Sequence, residues 1–431
     1  MTGTPLSKNL VLVVVTRHYL KSPEFNGISV VELCEMLKSS WSAIIEPLRV
    51  LVQNEQVGIL AEGSDIDTHV LRMGFPSREF QLAQLDKPPS PHTCIYPLLK
   101  HLAKVVEPSK YLDRPYRLAL ALGEPQLAYR VFDLSVLEEY RANPRYRYWT
   151  NDVGGQICIK GEHSSEGPCT DDDQVLLPTF GFAYDAGQNR AIAVLLHYLA
   201  ALTPKHQQIW KAKELKGKYE LYPDYFGTVI LGNPPEGASI YAAVIAEIKL
   251  INQVASAMGR AALFHEHFDA DSEERARNFA CLVRPTVAEF NGFLRVLDRL
   301  MSESLNREFF RDDVPSETGN GRENGAATVH HKGTLEMLVD WGSRTIPAAQ
   351  LDRWLQACRS LRKVRSLRQR PDQSRDDNTF DPSLIGKQRE LMILSYKSLH
   401  TLREMMSRLP AARSVRLDVP KWMRSGRVWA V

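Results

Sequence analysis

The sequence predicts an α+β protein, mostly helical, divided into two or three domains. Three observations predict it. A chain of 431 residues is longer than one ordinary core serves, and 44% hydrophobic with 24% charged residues is an ordinary globular composition. Apolar positions recur at three-to-four-residue spacing in the N-terminal and C-terminal parts. Short apolar or alternating runs of the strand kind fall between Tyr116 and Lys160.

At the N-terminus a helix is expected from Ser7 to Tyr19. A second starts at Ser29, with Val30, Leu33, Met36 and Leu37 on one face. A third carries Ile44, Ile45, Leu48, Leu51 and Val52. Ser42 is a candidate N-cap for it, but Pro47 moves the expected start toward Glu46. Val57–Leu60 and Thr68–Met73 then flank a turn-rich stretch and read as a hairpin. Helix, helix, helix, hairpin resembles a winged helix-turn-helix over residues 1–75. A DNA-reading module presents positive charge. This one holds 6 Lys+Arg against 8 Asp+Glu, and its third helix offers only Arg49. A protein partner or self-association is therefore the expected role of this module.

Residues 76–115, with seven prolines, read as a connector holding one helix, Ile95–Val106. Residues 116–280 read as an α+β domain. Its expected strands are Arg117–Leu122, Tyr129–Phe132 and Gln156–Lys160. Its expected helices are Leu134–Ala142, Ala191–Leu202 and Ser239–Met258. Thr286 to Glu289 form a capping box that opens a helix bearing Val287, Phe290, Leu294, Leu297 and Met301. Asp312–Lys332, rich in Gly, Asn and Glu, reads as a loop. Helices over Thr334–Trp341, Ala348–Leu367 and Ser383–Met406 complete a four-helix bundle spanning 284–410. The tail 411–431 offers possible strands at Ser414–Val419 and Arg427–Val431.

The cysteines Cys34, Cys94, Cys158, Cys169, Cys281 and Cys358 are scattered and include no CxxC pair. That spacing favours neither a disulfide framework nor a zinc site, and fits small buried residues in a reducing cytoplasm. The longest apolar run near the N-terminus, Leu10 to Val15, is far short of the roughly 20 residues that span a bilayer, and no secretory cleavage site accompanies it. A cytoplasmic protein without membrane contact is the expectation.

The net charge of +3 hides an asymmetry. From residue 351 onward the chain holds 18 Lys+Arg against 8 Asp+Glu, and before it 36 against 43. Arg353, Arg359, Arg362, Lys363, Arg365, Arg368, Arg370 and Arg375 fall within 23 residues. Leu355, Leu361, Val364 and Leu367 supply a buried stripe for the same helix, so its cations are free to grip phosphate oxygens. Arg359, Arg362, Lys363, Arg365, Arg368 and Arg370 are the candidate nucleic-acid-binding residues, for RNA or DNA. A solvated face paired to acidic surface is the alternative.

Arg368 is followed, after four residues, by Gln373, between the third and fourth helices of the expected bundle. Here the sequence resembles the HEPN superfamily, nucleotide-binding four-helix domains found in many RNases of toxin and antiviral systems. Their Arg holds a scissile phosphate, and a His four to six residues later moves protons. The resemblance covers about residues 284–410. Arg368 matches the Arg, but Gln373 stands where the His would fall, and glutamine has no group that titrates near neutral pH. The resemblance thus implies a non-catalytic member, in a bacterial defence or toxin–antitoxin type of system.

Other pairings carry less. Arg190 with His197, and Arg260 with His265, match the spacing outside the bundle. His265-Glu266-His267 with Asp269 and Asp271, and Cys158, His163 with Cys169, are partial metal sets without the spacing of a hydrolytic zinc site. Asp171, Asp172 and Asp173 read as a solvated acidic turn. No GxxxxGK[ST], GxGxxG or GxSxG occurs. No catalytic residue, metal or cofactor is expected. The expected function is a nucleic-acid-associated regulatory or sensor protein. Two alternatives stand beside it: an active HEPN-type RNase drawing on His400, and a protein-binding scaffold subunit.

Overall fold

The computed structural model describes residues 6–62, 67–72, 74–160, 170–265, 279–323, 326–369, 378–412 and 416–430, with backbone only at 317–323 and 326–330. At 53% helix and 14% strand, the protein is a mostly helical α+β protein. It forms two compact units. One holds residues 1–150, 154–186 and 190–221, and the other holds 151–153, 187–189 and 222–431. The sequence reading drew its boundary near 280; the units divide at Leu221 and Tyr222.

The first unit opens with α1 (Lys8–Lys21), β1 (Ile28–Ser29), α2 (Val30–Leu37), α3 (Trp41–Gln53), β2 (Val57–Leu60), α4 (Arg78–Gln84) and β3 (Cys94–Pro97). Ser29 leaves the sheet and caps α2, its hydroxyl accepting from Glu32 N at 3.1 Å. The strands order β1-β3-β2, antiparallel throughout, with Ile59 opposite Ile95. Val11, Val15, Leu33, Ile44, Leu48, Leu51, Ile59 and Ile95 form the core beneath.

Three expectations change here. α3 starts at Trp41 and runs through Pro47, so the proline does not mark its start. The partner of β2 is Cys94–Pro97, not Thr68–Met73. Thr68 is instead buried coil, its carbonyl accepting from Tyr96 Oη at 2.8 Å. The expected helix Ile95–Val106 is this strand followed by α5 (Leu99–Val105). All four residues of β3 are buried, and prolines on both sides masked a strand as a connector.

The rest of the unit contains α6 (Pro115–Ala121), β4 (Tyr129–Phe132), α7 (Glu138–Arg141), β5 (Tyr146–Thr150), β6 (Gly154–Ile159), β7 (Leu176–Tyr184), β8 (Arg190–Leu195), α8 (Leu196–Ala201), α9 (Pro204–Ala212) and β9 (Glu220–Leu221). The antiparallel sheet orders β4-β8-β7-β6-β5, with β9 on β7. The run 117–122 is helical rather than a strand, because Pro115 sits at the first helical position and pre-sets its φ. The run 191–202 is a strand and then a short helix. Every residue of β8 is buried, as a strand between two neighbours and covered on both faces requires.

Behind this sheet lies a buried polar chain. Trp210 Nε1 donates to Tyr140 Oη at 2.8 Å, and Tyr140 Oη lies 2.9 Å from His206 Nδ1. Tyr146 Oη stands 3.4 Å from His206 Nε2. One consistent arrangement is Tyr140 donating to Nδ1 and Nε2–H donating to Tyr146, which keeps the ring neutral. His206 is 1% exposed, and burial, then the Lys205 charge, push its pKa down to about 4.

The second unit contains β10 (Ala238–Ser239), α10 (Ile240–Ala257), α11 (Val287–Asp298), β11 (Glu317–Glu323), β12 (Ala326–His331), α12 (Thr334–Thr345), α13 (Ala348–Arg368), α14 (Ser383–Ser407), α15 (Lys421–Arg424) and β13 (Val428–Trp429). Ser239 caps α10 and Thr286 caps α11, each hydroxyl accepting from the backbone N–H three residues on. α14 packs between α10 and α13, and α13 also lies on α11 and α12. Gly342 leaves room for Trp354. A Cβ there would stand 1.9 Å from Trp354 Nε1, and the indole N–H donates to Leu338 O at 3.2 Å.

α10 belongs with these helices rather than with the sheet. It is long and apolar enough to cross a membrane by length and composition, at mean hydropathy 1.3, and 61% of it is buried in the protein. Asp312–Lys332, expected as a loop, contains the antiparallel pair β11 and β12. β11, with two glycines and no apolar residue, carries no alternating apolar signal. In the tail, 416–419 is not a strand, and β13 pairs parallel with β10.

Because His206 is disfavoured as a cation when folded, its contribution to stability is present above its ordinary pKa of 6.5 and is lost as pH falls through about 4. The contribution amounts to about 3 kcal/mol. Urea midpoints of the wild type should therefore drop between pH 6.5 and 4 more steeply than those of His206→Gln. Parallel curves would refute this.

Candidate nucleic-acid interface

α13 is 21 residues long and buries Trp354, Ala357, Cys358, Ser360, Leu361 and Val364. At about 100° per residue these define an inner face. Arg359, Arg362 and Lys363 fall on the opposite, exposed face. Arg359 and Lys363 are one turn apart, with Arg362 beside them, so the three heads form one patch. Among the described residues no carboxylate pairs with any of them. Arg365 is half-buried at the edge of the patch and likewise has no ion-pair partner among the described residues. It also sits in the last turn, where a cation meets the negative end of the helix dipole.

Arg368 is different. It lies nine residues past Arg359, about two and a half turns, and so points to the other side of the helix. Its Nη1 donates to Asp298 Oδ2 at 2.9 Å and also to Glu303 Oε1. Asp298 is 1% exposed at the end of α11. The bonds to Asp298 and then Glu303 hold the guanidinium charged and raise its pKa. A guanidinium already holding two carboxylates is a brace between α11 and α13. Arg368, expected as a phosphate ligand, is thus engaged by two carboxylates. Arg370 and Gln373 lie outside the described residues.

The other expected groups are also engaged. His400 Nδ1 is 2.7 Å from Glu247 Oε1, and its Nε2 is 3.6 Å from Glu404 Oε1. Glu247 is fully buried in α10 and receives Arg403 Nε at 2.6 Å. Among the described residues no side-chain hydroxyl or thiol is hydrogen-bonded to His400. Arg190 donates to Tyr184 Oη at 3.0 Å from the start of β8, whereas His197 lies beyond its far end, against Gln126 O. Arg260 pairs with Asp313 at 2.5 Å and stacks on Phe309 and Trp341. His265 places only its backbone N–H, on Ser304 O. Glu266, His267, Asp269, Asp271, His163 and Cys169 lie outside the described residues. Asp173 is held by Lys205 at 2.9 Å and by Thr170, which lower its pKa to about 2. Among the described residues no group of three His, Cys, Asp or Glu side chains is placed to hold a metal ion.

Two arrangements escaped the sequence reading. The Glu247–Arg403 pair joins residues 156 positions apart, and only a glutamate inside a mostly apolar helix hinted at it. Cys94 Sγ lies 3.4 Å from His69 Nδ1, but the thiol is fully buried and pushed up to about 11, which withholds the thiolate a nucleophile needs.

The buried side of the helix yields a stability prediction. Arg368→Ala leaves Asp298 buried and unpaired. It should destabilise the protein by about 2 kcal/mol, less than the ~3–5 kcal/mol of an enclosed pair because Arg368 is 36% exposed. Arg359→Ala and Arg362→Ala should each stay within about 0.5 kcal/mol of wild type. Chemical denaturation measures all three, and an equal loss in all of them would contradict the division into faces.

Comparison with protein-family models, with curated proteins and with solved structures finds no match to this chain.

Proposed function

We propose that this chain is a nucleic-acid-associated regulatory or sensor protein, without catalysis of its own, that grips phosphate through Arg359, Arg362 and Lys363, with Arg365 at the edge. One observation carries the reading. Three neighbouring exposed cations on one rigid helix have no carboxylate partner among the described residues, whereas Arg78, Arg130, Arg145, Arg260, Arg403 and Arg427 all have one. Uncompensated, adjacent guanidinium and ammonium groups raise the local potential and favour a polyanion. The positive excess of the last 81 residues supports the same reading.

Gln373 in the place of a proton-transfer His supports the absence of catalysis. The likeness of 284–410 to HEPN domains supports a cytoplasmic role in a bacterial defence or toxin–antitoxin type of system. The N-terminal module serves a protein partner or a second copy in this reading. On α1, Leu10 and Val13 are 49% and 50% exposed. Arg49, the one cation of α3, is held by Asp86 at 2.7 Å.

Fluorescence anisotropy of the full chain with labelled nucleic acid, across a salt series, tests the proposal. Affinity should fall with salt by roughly 0.7 to 0.9 logarithmic units per logarithmic unit of salt for each phosphate contacted. The triple variant Arg359→Ala, Arg362→Ala, Lys363→Ala should lose affinity and flatten the slope by about two to three units, while Arg49→Ala changes neither. RNA should remain uncleaved throughout. Absence of binding at low salt, or a triple variant identical to wild type, contradicts the reading.

A further inference from the structure

Resting on that reading, we infer that the surface takes the phosphate backbone of a duplex rather than an unpaired strand. Proteins that hold single strands without reading sequence combine a basic groove with aromatic platforms, each stacked base adding about 1–3 kcal/mol. Between Leu355 and Thr379 the sequence contains no Phe, Tyr or Trp. The aromatic residue of α13, Trp354, is fully buried against Trp341 with ring centroids 5.4 Å apart. The patch therefore offers charge and polar groups, namely Arg359, Arg362, Lys363 and the exposed Gln356 and Ser366, and α13 adds no exposed aromatic ring on which a base can stack.

Phe380, 59% exposed, is the exposed aromatic nearest in sequence to the patch among the described residues. Phe380 pairs with Thr286, the cap of α11, whereas Arg368 is anchored at Asp298 where α11 ends. The two anchors are twelve residues of helix apart, about 18 Å. That distance separates Phe380 from Arg368, and its part in binding at Arg359, Arg362 and Lys363 is read by Phe380→Ala.

With charge contacts alone, the duplex is favoured on two counts. Its charge density releases about 0.9 counterion per phosphate neutralised against about 0.7 for a single strand. Its phosphates are also already fixed in space, as are three cations on one helix face. An unstacked strand would have to lose backbone freedom with no aromatic stacking to offset it, as any flexible chain does when it is ordered.

The test is a direct competition on the full chain at one salt concentration. The probes are RNA and DNA duplexes of about 20 base pairs and unstructured single strands of the same phosphate number. Duplex should bind at least about tenfold tighter, matching a difference of about 1.4 kcal/mol. Arg359→Ala with Arg362→Ala should weaken duplex binding, and Phe380→Ala should leave it unchanged. Single strands binding as well as duplex, or binding that Phe380→Ala removes, overturns the duplex assignment while leaving a nucleic-acid role standing. Failure of every probe to bind overturns both.

Discussion

Asp298 ends α11 with its carboxylate out of water, and a buried charge has to be met. Arg368 meets it from the last turn of α13 and draws Glu303 into the same cluster. This pairing fixes how α13 is rotated about its own axis. With Arg368 turned inward, Trp354, Leu361 and Val364 reach the core, and Arg359, Arg362 and Lys363 are left outside. The same constraint therefore decides which cations stabilise the unit and which are available to a ligand.

A second buried carboxylate repeats the solution. Glu247 is carried inside the unit by a mostly apolar α10, and α14 supplies Arg403 and His400 to it. Removing either partner alone would strand a charge, so the α10–α14 and α11–α13 contacts each have a register that sliding would break. His400 thereby helps to hold Glu247 in place.

Much of this was legible in the sequence. The caps Ser239 and Thr286 mark α10 and α11 because a side-chain oxygen placed before an apolar stripe has a local task. The basic run on α13 was legible as composition. What was not legible is long-range. Arg368 and Asp298 are 70 positions apart, and no local pattern pairs them. β8 was misread because an all-apolar run has no period to separate a buried strand from a buried helix. β3 was hidden by the prolines around it, and β11 and β12 by a segment whose Gly, Asn and Glu content reads as a loop. Spacing alone also linked Arg190 to His197, although a strand separates them.

The central claim is that α13 has a committed inner arginine and an available outer patch. Arginine-selective chemical modification of the folded protein, read by mass spectrometry with and without bound nucleic acid, addresses it most directly. Arg359 and Arg362 should react readily in the free protein and become protected in the complex, and Arg368 should stay slow in both states. Ready modification of Arg368 in the free protein, with protection on binding, would contradict the account.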